Sequence, residues 1–289
     1  MYSNYDANKL IDQFNQIVNE KSKKLLRYFL TAIVGLGLLL VLIIYATLNN
    51  TDAMIIVSVF GGLILIGLIT VVFFSKIIPS NNTTYNFLYP QIYQKINEDL
   101  ALELKYQTKN KVDNSFVQAG GIFNRQVRVH VYRNLSGKTE NNNDFKIFDC
   151  MLITGGGQYQ QVHLNGIYLF TKVNTDLVLQ IRTNGKPQTK KYDFKKIEEV
   201  TDYKVYLEQN QSLDSVTKVL LQKLRELKIK LNAKHIYLGI NEGILHLAYN
   251  SKDNKRMQRN LDQTKINRIY QRFLSEIQLI DELVNIFNY

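Results

Sequence analysis

The stretch His235-Ile236-Tyr237-Leu238-Gly239-Ile240, Asn241-Glu242-Gly243, Ile244-Leu245-His246-Leu247-Ala248-Tyr249-Asn250 reads as a β-hairpin. Each arm places a large apolar residue at every second position, the period of a strand with one buried face. Glu242-Gly243 supplies a tight turn. With the turn there, Ile240 faces Leu245, Leu238 faces Leu247 and Ile236 faces Tyr249. All six then share one face, and a slip of one residue would turn all six outward, so the pattern specifies its own register. The chain therefore builds antiparallel sheet.

Upstream, Ser212 reads as a helix N-cap. Leu213, Val216, Leu220, Leu224, Leu227 and Leu231 follow at helical spacing and face a core. The other side of this helix carries Lys218, Lys223, Arg225, Lys228 and Lys230. Such a face is a solvated surface or a contact for anionic lipid or a protein partner, and the residues alone leave both readings open. Between Val112 and Tyr206 the pattern is one of short strands: Val127–Tyr132, Phe145–Ile153, Val162–Leu164, Ile167–Val173 and Leu177–Ile181. Asn165-Gly166 and Asn184-Gly185 read as turns. The connections are too short for helical crossovers, so this is an antiparallel meander. Before it, Leu88, Ile92, Ile96, Leu100 and Leu104 make the stripe of a helix that begins near Pro90 and runs to about Tyr106.

Downstream of the hairpin, a helix is expected from Met257 to Phe287. Ile266, Tyr270, Phe273, Ile277, Ile280, Val284 and Phe287 form an apolar seam with heptad-like spacing. The seam packs on the strand domain or on a second copy of the chain.

At the other end, residues 5–24 form an amphipathic helix with Leu10, Phe14, Ile17 and Val18 on one face. Leu25–Leu48 and Ala53–Phe74 are apolar runs without a charged side chain after Arg27, separated by Asn49-Asn50-Thr51-Asp52. Each reaches the roughly 20 helical residues that cross a bilayer core. A transmembrane helical hairpin is the expectation. The basic flank Lys21, Lys23, Lys24 and Arg27, with Lys76 beyond, puts both termini in the cytoplasm of a two-span protein of the cell membrane. The runs hold no ionisable group, so they read as an anchor rather than a transport path.

The expected architecture is α+β. An amphipathic juxtamembrane helix (1–24) leads into the transmembrane hairpin (25–78). A cytoplasmic, antiparallel-strand-rich domain with flanking helices (79–254) and a C-terminal amphipathic helix (255–289) follow. The 289 residues carry a net charge of +11. Attraction to the lipid bilayer, simple lysine-rich composition and nucleic-acid binding all fit such a balance, and nucleic acid is the least favoured. Cys150 is the only cysteine. An internal disulfide is therefore impossible, and Phe148-Asp149-Cys150-Met151-Leu152 reads as strand with a small buried hydrophobe at its centre.

No motif carries chemistry. Gly155-Gly156-Gly157 follows a strand but is not followed by Gly-Lys-Ser/Thr, so it reads as a loop rather than a phosphate loop. His130, His163, His235 and His246 lack metal-ligand spacing. Asp193, Glu198, Glu199 and Asp202 alternate with Lys190, Lys191, Lys195 and Lys196, the pattern of a solvated surface. No cofactor or metal site is expected, and no catalytic residue can be nominated from spacing alone.

An amphipathic segment precedes the paired apolar runs. Phe116-Val117-Gln118-Ala119-Gly120-Gly121-Ile122-Phe123 is a Gly-rich extended stretch. Leu164-Asn165-Gly166-Ile167-Tyr168-Leu169-Phe170 is an aromatic-glycine strand entry. Tyr203-Lys204-Val205-Tyr206 then leads to the helix and the hairpin. Together these features resemble a bacterial family of membrane-anchored proteins known as domain of unknown function 3137. The resemblance spans residues 20–250 and implies architecture; it brings no activity. The functional expectation is a membrane-anchored binding or scaffold domain facing the cytoplasm. It would present a basic surface to a protein partner or anionic lipid, alone or as a homo-oligomer. The alternative is a membrane-tethered enzyme whose site is assembled from distant residues.

Overall fold

The structure is a computed structural model describing residues 4–47, 67, 83–108, 115–123, 126–187, 191–200, 203–211, 215–251 and 261–287. It divides into two compact units, residues 1–89 with 257–267 and residues 90–256 with 268–289.

In the first unit, α1 (Asn4–Thr47) is one continuous helix. Ala7, Leu10, Phe14 and Val18 are buried, at the 3- and 4-residue spacing of a single helix face. Ile17 is only partly covered. A π-helical turn, Thr84–Leu88, packs against α1. Lys21 Nζ donates to Thr83 Oγ1 at 3.5 Å beside this turn.

The transmembrane hairpin expected over 25–78 requires correction. Among the described residues, no helix is long and apolar enough to cross a membrane. No break in the helix marks the expected boundary between an amphipathic segment and a first span. The apolar run is the second half of α1, continuous with a first half that carries Asp12, Glu20, Lys21, Lys23, Lys24 and Arg27. Gly67 apart, the second run lies outside the described residues. With no such helix among the described residues, the assignments as a multi-pass membrane protein, as a two-span protein of the cell membrane and as a chain with both termini cytoplasmic fall as well.

The second unit is α+β, built on one nine-stranded sheet in which every pairing is antiparallel. Its strands are β1 (Lys105–Thr108), β2 (Arg128–Lys138), β3 (Asp144–Thr154), β4 (Gln161–Lys172), β5 (Leu179–Arg182), β6 (Phe194–Val200), β7 (Tyr203–Glu208), β8 (Ala233–Asn241) and β9 (Ile244–Ser251). Their order is β1-β2-β3-β4-β9-β8-β5-β7-β6. β2, β3 and β4 pair in succession as the expected meander does, β1 adds an edge strand where a helix was expected to end, and β5, expected beside β4, lies beyond β8. The β8–β9 hairpin then inserts between β4 and β5, so the last hairpin in sequence becomes the centre of the sheet.

That hairpin has the register expected from its alternation: Ile240 with Leu245, Leu238 with Leu247, Ile236 with Tyr249. Glu242 and Gly243 both have positive φ, 51° and 67°, as a two-residue turn matched to strand twist requires. Asn165-Gly166, by contrast, is no turn. It lies inside the twelve-residue strand β4. A Cβ on Gly166 would overlap the carbonyl oxygen of Tyr249, so β9 approaches β4 where only glycine leaves room.

The sheet has two unlike faces. The first carries Leu135, Ile147, Leu169, Leu247, Leu238, Ile181 and Val205, all buried. Three helices are tied to it: α2 (Tyr89–Leu100), α4 (Ser215–Lys230) and α5 (Gln263–Asn285), all three shorter than expected at their described ends, α2 stopping at Leu100 instead of near Tyr106. Between α2 and α4 in sequence lies a short helix, α3 (Ser115–Gly120), in place of the expected extended Gly-rich stretch. It covers the middle of the second face. Val117, Ile122 and Phe123 pack there on Phe148, Cys150, Tyr168, Tyr237 and Ala248.

Candidate functional site: a lysine-lined cleft

Most of the buried polar groups in the sheet unit are committed to holding it together. Arg133, 0% exposed on β2, bonds Glu276 of α5 at 2.7 Å and Tyr93 of α2 through its hydroxyl. Its guanidinium lies 4.4 Å from the Phe273 ring centroid, and Phe273 stacks on Tyr93 at 4.5 Å. Burial alone would raise the Glu276 carboxyl, but Arg133 and Arg272 overcome it and hold the group below its ordinary range. On the second face, Asn241, Gln180 and Arg182 donate to the successive carbonyls of Gly120, Gly121 and Ile122 at 3.4, 3.0 and 2.7 Å. These three bonds clamp the end of α3 onto the sheet, and a cation at a helix C-terminus also suits the helix dipole. Burial pulls Arg182 down to about 10, against the opposing effect of Tyr237 and Tyr206.

The histidines are dispersed. His163 lies 2.7 Å from the Thr154 hydroxyl and His235 lies 3.5 Å from that of Thr183. His246 Nδ1 is 3.2 Å from the Tyr168 hydroxyl, and burial lowers this imidazole to about 4. Among the described residues, no three His, Cys, Asp or Glu side chains converge as metal ligands. Cys150 is 0% exposed, and burial pushes its thiol up, away from the reactive thiolate. Gly157–Tyr159 forms a 3₁₀ turn that exposes Tyr159.

The basic side of α4 is largely engaged within the chain. Lys223 and Lys230 both reach Glu282 of α5, at 2.9 and 3.5 Å, and Lys228 lies over the Tyr203 ring. Lys218 and Arg225 are exposed. The apolar seam of α5 is also engaged. Ile266, Tyr270, Phe273, Ile277, Ile280, Val284 and Phe287 are each buried. Phe273 meets Tyr93 and Arg133, and the Tyr270 hydroxyl donates to Asp99 at 2.6 Å.

An open cleft of about 920 Å³ lies where the ends of β2, β3, β4 and β9 meet the segment 100–105. Strand register explains its lining. Lys105 sits across from Ser136, Ser136 across from Lys146, and Lys146 across from Phe170. A row through four strands thus presents Lys-Ser-Lys-Phe on the second face, where Phe116 of α3 reaches its end and stacks on Phe170 at 5.9 Å. Side chains two residues apart share a face, so Lys138 and Lys172 join the same patch. All four lysines are exposed. Lys146 Nζ lies 5.8 Å from the centroid of the Phe170 ring, which is half-buried in the cleft. Lys138 donates to Asn142 at 2.9 Å. Among the described residues, Lys105, Lys146 and Lys172 have no carboxylate partner. Glu103, Glu140 and Asp144 also line the cleft.

Sequence reasoning missed this cluster because its lysines come from four separate segments and no spacing links them. Correct strand pairing upstream of the hairpin was the signal that would have found it. No family model, no curated protein and no solved structure matches the chain.

Proposed function

We propose that the sheet unit is a binding or scaffold module that takes an acidic segment of a protein partner into the lysine-lined cleft. The observation that carries this reading is the gathering of four lysines from four separate segments in one cleft. Some lysines elsewhere on the surface are neutralised by carboxylates, as Lys95 is by Asp99, Lys191 by Glu242 and Lys223 by Glu282. Lys105, Lys146 and Lys172 share one concave patch without such a partner. Like charges held together on a sheet repel one another, and an anionic ligand relieves that repulsion. The three carboxylates around the cleft oppose a uniformly polyanionic strand such as nucleic acid. They suit a peptide that carries charges of both signs.

The test uses the full chain and a fluorescent peptide rich in Asp and Glu, followed by anisotropy at low and physiological salt. Replacing Lys105, Lys146 and Lys172 together by glutamate removes three attractions and installs three repulsions. Each exposed ion pair contributes roughly 0.2–1 kcal/mol, so a loss of about tenfold or more is expected. The pair Lys218→Glu with Arg225→Glu on α4 is expected to leave affinity unchanged. Equal binding by the cleft variant, loss of binding by the α4 variant instead, or tighter binding of single-stranded DNA than of the peptide would each overturn the proposal.

A further inference from the structure

We infer that the feature recognised in the cleft is a phosphorylated side chain of the acidic segment, seated over Lys146. This rests on the cleft being the binding site and adds the chemical class of the ligand.

The strand register makes Lys146 the centre of the patch. Ser136 and Phe170 are its direct cross-strand partners. Lys172 lies two residues beyond Phe170, a diagonal neighbour about 7–8 Å away, within reach of long side chains. Lys105 stands on the far side of Ser136. Lys105 and Lys146 therefore flank Ser136 on one face, and Lys172 adds a third cation on the side of Lys146 where its Nζ lies 5.8 Å from the Phe170 ring.

This donor set fits phosphate better than carboxylate. A planar carboxylate is held best by the paired donors of one guanidinium, and the cleft lining contains no arginine. Lysines act as separate point charges. Several of them on one patch suit a compact, tetrahedral dianion with three acceptor oxygens. The Phe170 ring bounds the site on the β4 side and supports Lys146 by its face. Asp144, across from Lys138, and Glu103 and Glu140 also line the cleft and repel additional anionic groups, which favours one phosphoryl group over a run of them.

The experiment compares three versions of one acidic peptide on the full-length chain: central phosphoserine, glutamate and serine. The phosphoserine form is expected to bind at least tenfold tighter than the glutamate form. Lys146→Met is expected to erase that difference while leaving weak binding of all three peptides. Inorganic phosphate at millimolar concentration should compete with the phosphoserine peptide alone. Equal binding of the phosphoserine and glutamate forms would overturn this inference and leave the acidic-segment reading standing. Failure of all three peptides would overturn both. Tight binding of inorganic phosphate with no gain from the peptide would also overturn it, because the ligand would then be a free anion.

Discussion

Replacing Glu276 by glutamine removes the charge that faces Arg133 across 2.7 Å and leaves the guanidinium, 0% exposed, without its nearest counter-ion. Breaking a buried pair from one side costs roughly 3–5 kcal/mol, most of it the penalty of an uncompensated buried charge. Here the cost falls at the lower end, about 3 kcal/mol, for two structural reasons. Asp149 stands 3.8 Å from Arg133 and still supplies a negative charge. The glutamine amide keeps the size of the carboxyl and one acceptor. Replacing both partners, Arg133→Met with Glu276→Leu, is expected to be near neutral, since apolar side chains of similar volume remove the desolvation cost of both ions. Urea unfolding followed by far-ultraviolet circular dichroism measures both. A single variant within about 1 kcal/mol of the parent, or a double variant less stable than the single, would refute the assignment of Arg133 and Glu276 as a coupled buried pair.

Three further outcomes follow from the same packing. His246 has its imidazole lowered from 6.5 to about 4, so between those values the unfolded chain binds the proton and the folded chain does not. Stability present above pH 6.5 is lost as pH falls toward 4, by about 3 kcal/mol, and urea midpoints should fall far less with pH in His246→Phe. Gly166→Ala forces a methyl group onto the Tyr249 carbonyl oxygen. Opening β4 from β9 should cost about 1–3 kcal/mol, and a thermal midpoint equal to the parent's would contradict the close approach. Cys150, wholly buried with its thiol pushed up, should resist a thiol reagent in the native protein and react in urea; native labelling as fast as that of free cysteine would show the β3 core to be open.

The hairpin of β8 and β9 was legible residue by residue because one short stretch held both its alternation and its turn. The stripes of α2, α4 and α5 were legible for the same local reason. Asn165-Gly166 misled because a local turn signal was overridden by pairing with β9, some 80 residues away along the chain. β1 was hidden because Lys-Tyr-Gln-Thr is a polar edge strand with no apolar alternation. The insertion of β8–β9 between β4 and β5 is a long-range choice that no local period encodes. The expected membrane hairpin rested on two apolar runs. The first proved to be half of a longer helix, and the second lies outside the described residues apart from Gly67. Arg133 and Glu276 are far apart in sequence, as are the lysines of the cleft, so neither cluster could be seen before the sheet was assembled.

Hydrogen exchange along the full chain, with and without saturating acidic phosphopeptide, tests the central claim most directly. The cleft reading predicts slowed exchange at Ser136–Lys146 and Phe170–Lys172, with α4 around Lys218 and Arg225 unchanged. Protection confined to α4, or no change at those strand ends under saturating peptide, would contradict it.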